Sequence, residues 1–356
     1  MDVPRPSEQP PVGDPGLTSG SAPPAPAYPA LDFGSGVPGR TRPRFDEQPP
    51  GPATWPGWVA FGIGLPISIV ALAFGIASIM LPKYFGPATT YAILAVAMVA
   101  GILTVAGLSW LVVAGTIRRR NLPPDRYRGG SVLAQLAIVE LASNLVIAPV
   151  LIVVAGLDLE RLARPDIGIA SLIVTDGVLL AAYLLFVQRP RALAGVRLFP
   201  GLRSLLDIGL GGGMGVLAAV GSGVLALLLQ SIASRLGVNL AGDQAVTNLL
   251  RDLPLGWSVL GAVIMAPVAE ELFFRGLVFN AWEREYGTAR ALVGSAGLFA
   301  LVHVVGGTAL AVFQVLLLGL LLGYVYMRVR SLAVTIGMHA AFNLVSVLAL
   351  FFLPGT

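Results

Sequence analysis

The feature that most constrains this chain is a repeated one. From Trp58 onward, long apolar runs follow one another with only short polar breaks between them. Crossing about 30 Å of hydrocarbon takes roughly 20 helical residues, and in lipid a segment must satisfy its own backbone hydrogen bonds, as a helix does. The runs fall at 57–81, 88–117, 131–156, 167–187, 205–234, 256–279, 289–305, 309–327 and 332–353. They predict an all-α fold, a polytopic transmembrane helical bundle of nine spans, with eight as the alternative; the short seventh run could be tilted, re-entrant or in a locally thin bilayer. Composition agrees: 56% of the residues are hydrophobic and 12% charged, against about 25% charged in soluble domains. A soluble core could not enclose this much apolar surface. There are no cysteines, which excludes disulfides, thiolate metal sites and cysteine nucleophiles.

The first 54 residues differ. They hold 14 of the 27 prolines with Ser, Gly and few aliphatics, too little apolar area to offset the entropy of ordering, so a disordered cytoplasmic arm is expected. A signal peptide is not expected, since no short apolar stretch with a small-residue cleavage site follows a basic start. Three regions result: the Pro-rich arm (1–54), the N-terminal transmembrane helices (55–250) and a C-terminal membrane domain (251–353). The formal charge of +4 forms no basic face and does not point to nucleic acid. The basic residues instead orient the bundle. With a cytoplasmic N-terminus and nine spans, seventeen fall in inner segments (Arg118, Arg119 and Arg120 among them) and five outside: Lys83, Arg161, Arg164, Arg235 and Arg251. By the positive-inside rule this predicts a multi-pass plasma-membrane protein with N inside and C outside. The glycines at 209–215, and Gly319 with Gly323, are followed by no Lys-Ser or Lys-Thr and read as close helix packing rather than a phosphate loop.

Within the apolar runs stand polar residues that lipid tolerates poorly, each costing roughly 2.5–3.5 kcal/mol on insertion scales. Glu271 and Arg275 are four apart with the acid first, the favourable pairing order on a helix, and a mutually neutralised structural pair explains them. Glu270 lies about 100° away around the helix and is not explained in that way. Pro267, just before, removes a backbone hydrogen bond and can open a polar cavity. The chain's only two histidines, His303 and His339, lie in the same terminal third, and His339 shares a helical face with Asn343. At about 1.5 Å per residue, Glu270 lies roughly 13 Å above the inner end of its span, His339 roughly 10 Å and His303 roughly 20 Å, close enough in depth to meet in one cavity. Gln135, Glu140, Asn144, Asp176 and Gln314 are also embedded; they could line that cavity, bond between helices or mark an ion pathway.

In order, Glu270-Glu271-x-x-x-Arg275, Phe299-x-x-x-His303 and His339-x-x-x-Asn343 resemble the motifs of the CAAX protease and bacteriocin-processing (CPBP, or Abi) family. The resemblance covers roughly 256–347, and none of the three motifs departs from the family pattern. It implies hydrolysis of peptide bonds within the membrane, on prenylated CAAX-type proteins or, in bacterial members, on broader or bacteriocin-like substrates. It also implies roles. Glu270 would activate water, with His303 positioning it. His339 and Asn343 would polarise the scissile carbonyl, and Glu271 with Arg275 would brace the site. Such chemistry needs a base for water and donors where the oxyanion forms.

Glu270, His303 and His339 also supply the residue types of many catalytic zinc sites. Their spacing is unlike the compact His-Glu-x-x-His helix, so a metal-free glutamate mechanism is the preferred expectation, with zinc as its alternative. Two other readings stand beside the peptidase. One is an ion-coupled transporter using Glu140, Asp176, Glu270 and the histidines as a relay, although no internal repeat is seen. The other is a non-catalytic membrane scaffold. The expected partners are the bilayer and a peptide or protein substrate entering from the membrane or the cytoplasmic side, with the oligomeric state unspecified.

Overall fold

The computed structural model describes residues 51–162, 164–193, 201–238, 251, 253–304 and 308–353. Nearly all of the expected Pro-rich arm lies outside the described residues. Nine apolar helices are present among them: α1 (Trp55–Met80), α2 (Pro87–Arg119), α3 (Val132–Val154), α4 (Pro165–Gln188), α5 (Arg203–Arg235), α6 (Leu255–Tyr286), α7 (Thr288–Val302), α8 (Ala309–Val329) and α9 (Leu332–Phe352). All but α7 are long and apolar enough to cross a bilayer, which makes eight candidate spans among the described residues.

Helix ends follow local chemistry. Pro56, Pro87 and Pro165 stand in the first turns of α1, α2 and α4, where a missing N–H costs nothing. Gly287, at φ +90°, makes the sharp break between α6 and α7, a conformation that L side chains resist. α6 runs past the expected end at 279. The added turns, Asn280–Tyr286, are polar, and they are held because Glu283 bonds Arg330 at 2.6 Å while Glu285 pairs with Arg119.

The basic connections meet at one end of the bundle. Arg119 after α2 pairs with Glu285, the Arg128 amide bonds the Ala192 carbonyl after α4, Arg330 after α8 pairs with Glu283, and Ser331 bonds Asp207 of α5 at 2.7 Å. α8 is about 31 Å long at 1.5 Å per residue and finishes at this end. The chain therefore reaches the far side between α6 and α8, although α7 alone spans only about 22 Å.

Small residues set the closest approaches. A Cβ at Gly211 would collide with the Val334 carbonyl, one at Gly215 with the Met338 carbonyl, and one at Gly337 with the backbone of Ile208. α5 and α9 thus touch backbone to backbone, as small residues allow in membranes. At Gly319 a Cβ would press on Phe299 and Ala296, and at Gly323 on Leu292, so Gly211, Gly215, Gly319 and Gly323 serve packing as expected, while Gly209, Gly212 and Gly213 face open space. Outward, α1 and α5 present Val70, Phe74, Leu205, Leu217 and Leu227, the surface of a lipid-facing protein. Inward, α6 is enclosed, with every residue from Glu271 to Ala281 buried. Its Phe273, Phe274, Leu277 and Phe279 form the main core with Tyr183 of α4, Phe299 of α7 and Tyr326 of α8.

Candidate active site

The site is built on an irregularity in α6. Over Val259–Met265 the helix is wound wide, and the Ala266 amide reaches back five residues to Gly261. In that register the next amide would bond the Ala262 carbonyl, but the next residue is Pro267, which has no N–H. The orphaned carbonyl is filled from another helix: Asn343 Nδ2 donates to Ala262 O at 2.7 Å. Pro267 and Asn343 are thus two halves of one device that joins α6 to α9 beside Glu270.

The charges follow directly. Glu271 and Arg275 are both fully buried and paired at 2.7 Å, and Arg275 Nη2 also donates to the Gly319 carbonyl of α8 at 2.9 Å. The guanidinium lies 4.8 Å from the centre of the Phe299 ring, a cation–π contact. His339 Nδ1 meets the same Glu271 oxygen at 3.1 Å. A carboxylate paired with arginine only accepts, so Nδ1 carries the proton, and Nε2 faces Glu270 Oε2 at 3.8 Å. That separation is longer than a hydrogen bond, so Glu270 is beside His339 without being fixed by it. The two adjacent glutamates therefore have opposite surroundings: Glu271 is clamped by Arg275 and His339, while Glu270 is held by neither and keeps a side chain 17% exposed.

His303 enters differently. α7 stops at Val302 and leaves His303 at its C-terminal end, with Nδ1 against the Phe299 carbonyl at 2.7 Å. A carbonyl only accepts, so this Nδ1 carries a proton too, and Nε2 is left available. The Phe299 ring separates the two histidines, 4.9 Å from His303 and 5.7 Å from His339. The structure thus brings together Glu270, Glu271, Arg275 and His339, places His303 across Phe299 from them, and ties Asn343 to the backbone of α6. Among the described residues no group of three or more His, Cys, Asp or Glu side chains that could hold a metal ion is formed.

Two acids from the earlier helices join this centre. Glu140 of α3 lies within electrostatic reach of His303, and Asp176 of α4 within reach of Glu270. Of the other embedded polar residues, Gln314 bonds Ser222 between α8 and α5 at 2.8 Å, Gln135 bonds Tyr127 at 2.8 Å, and Asn144 bonds the carbonyl of Glu140. The Gly319 carbonyl and the Phe299 ring had no polar side chain to mark them; Phe299 was visible only as the first letter of its motif.

A lipid-facing helical bundle that gathers four carboxyls, two histidines and one arginine is a membrane protein with a largely buried polar centre. Residues 252–345 match the Rce1-like family, described as "Type II CAAX prenyl endopeptidase Rce1-like"; the match contains Glu270, Glu271, Arg275, His303, His339 and Asn343. The likeness to the CAAX proteases is thus shown for this segment, and with the buried network it supports an enzymatic role. No curated protein and no solved structure matches the chain.

Proposed function

We propose that the chain is an intramembrane endopeptidase that hydrolyses peptide bonds of membrane-associated substrates. The observation that carries this reading is the asymmetry of the glutamate pair. Inside the matched segment, one acid is neutralised and the other is unclamped beside a histidine. In this reading Glu270 takes a proton from water, and the water oxygen bonds the scissile carbonyl carbon. His303, with Nε2 available, positions that water. His339, with both ring nitrogens protonated, donates from Nε2 to the carbonyl oxygen while its Nδ1–H stays on Glu271. Asn343, whose amide carries a second N–H beyond the one given to Ala262, helps where the oxyanion forms. Glu271, paired with Arg275, accepts from His339 Nδ1 and so keeps Nε2 directed at the substrate. Positioned donors and a free base are what acyl hydrolysis requires. The substrate class is a peptide entering from the membrane or the cytoplasmic side, CAAX-type with a prenyl-like group or bacteriocin-like.

The test uses the purified protein in lipid nanodiscs with fluorogenic peptides, prenylated and unprenylated, in water labelled with heavy oxygen. Cleavage with one labelled oxygen in the new carboxylate is the expected result; no cleavage of any peptide would remove the reading. The same preparation decides the metal. A metal-free glutamate mechanism predicts that chelation leaves turnover unchanged. About one equivalent of zinc, lost in His303→Ala together with activity, would overturn it.

Orientation is proposed on the arginine bias: N-terminus cytoplasmic, C-terminus outside, in the plasma membrane. A reporter active only outside the cell should function after Thr356, and one active only inside should function after Arg120. Activity of a cytoplasmic reporter at Thr356, with silence from the external one, would reverse the C-terminal assignment.

A further inference from the structure

The wide turn of α6 has a counterpart in α3, which lies outside the segment that matches the family. Over Ser143–Ile147 the helix is again wound wide, and the Ala148 amide reaches back five residues to Ser143. The next amide would bond the Asn144 carbonyl, but the next residue is Pro149, which has no N–H. In α6 the same gap is filled by Asn343. In α3 no side chain among the described residues fills it. The Asn144 amide is spent elsewhere: its Nδ2 donates to the Glu140 carbonyl at 2.8 Å, which leaves Oδ1 as a further acceptor. Asn144 lies one residue from the middle of α3 and is exposed. Acyl chains offer no donor at that depth, and irregular backbone there lines cavities. α2 closes the neighbouring side, since a Cβ at Gly101 would collide with the Leu145 carbonyl. Val139 of the preceding turn packs into the core with Phe274 and Phe299, and Glu140, on the face of Asn144, is within reach of His303. The two acceptors therefore stand beside the chamber of the site.

A peptide about to be cut brings the complementary groups. Hydrolysis needs an extended chain, whose backbone N–H groups are not used within a helix, and a site away from water must satisfy them. We propose that the wide turn of α3 is a docking edge for the substrate main chain, with the Asn144 carbonyl and Oδ1 accepting hydrogen bonds from backbone N–H groups of an extended peptide. The inference rests on the peptidase reading for its ligand. Main-chain bonds give affinity while side-chain pockets give specificity, so this edge holds a peptide of any sequence in register with the groups on α6, α7 and α9. Pro149 keeps the helix's own amide off the carbonyl that the substrate needs.

The test is one of binding and needs no peptidase activity. Full-length Glu270→Gln protein in nanodiscs is titrated with a fluorescent prenylated peptide, and with analogues in which one peptide N–H at a time is replaced by an ester oxygen. Two ester positions should weaken binding roughly five- to a hundredfold each, the cost of leaving a buried acceptor unpaired. Adding Pro149→Ala supplies an N–H to the Asn144 carbonyl, whichever register the helix takes. The all-amide peptide should then bind more weakly by a similar factor, and one of the two ester positions should lose its effect. The melting temperature should hold or rise, because a proline has left a helix interior. Asn144→Leu, which removes Oδ1 and keeps the carbonyl, should silence the other position. Binding indifferent to every ester, or ester positions as sensitive in Pro149→Ala as in its parent, would overturn the docking edge even if the wild type cleaves peptides. The expected binding pattern beside a wild type that cleaves nothing would instead sink the peptidase reading and leave the edge standing.

Discussion

Glu270→Gln is expected to abolish peptide hydrolysis while leaving the protein folded. Glutamine matches the shape of glutamate but cannot accept a proton from water, and loss of a general base costs roughly 100- to 10,000-fold in rate. The fold has little to lose. Glu270 makes no hydrogen bond among the described residues, stands 3.8 Å from His339 and is partly exposed. With no hydrogen bond to break, Glu270→Gln triggers none of the usual causes of a large destabilisation. The check is a paired one, the melting temperature in detergent and turnover of a fluorogenic peptide. Full turnover in this variant, or collapse of the fold, would show that Glu270 is not the base.

Glu271→Gln, one residue on, is expected to behave in the opposite way. Its carboxylate is the counter-charge of a guanidinium with no exposure, held at 2.7 Å, and removing one partner of a buried pair costs roughly 3–5 kcal/mol. It also replaces the charged acceptor of His339 Nδ1 with a neutral amide oxygen, so activity falls together with stability. Arg275→Met in the same chain removes the stranded charge and should restore much of the melting temperature without restoring turnover, because His339 keeps only a neutral acceptor at Nδ1. A single variant as stable as the wild type, or a double variant no better than the single one, would contradict the clamp.

What could be read without coordinates was what is local. Apolar run length located the helices, and the four-residue offset located the Glu271–Arg275 pair, because both are properties of one helix. The glycine runs were legible as packing for the same reason: a missing side chain has a direct steric meaning. What escaped was set by contacts between helices. Glu140 and Asp176 could not be ranked, since their relation to His303 and Glu270 exists only once α3 and α4 lie against α6 and α7. Asn343, assigned by its motif to the carbonyl, also completes the backbone of α6, and no pattern in α9 announces a vacancy at Ala262. The end of α6 was placed too early because its last turns are polar, and their charges are matched only by arginines from α2 and α8.

The bond between Asn343 and Ala262 bears on where a substrate can enter. Parting α6 from α9 would strand the Ala262 carbonyl, the Asn343 amide and the His339–Glu271 contact together. Behind α9 the glycine seam with α5 leaves no slack to absorb such a movement. On the opposite flank no hydrogen bond among the described residues ties α3 to α7, and Glu140 and His303 stand there half-buried. The bonds between α6 and α9 keep the groups around Glu271 in register, while no such bond among the described residues opposes a parting of α3 from α7.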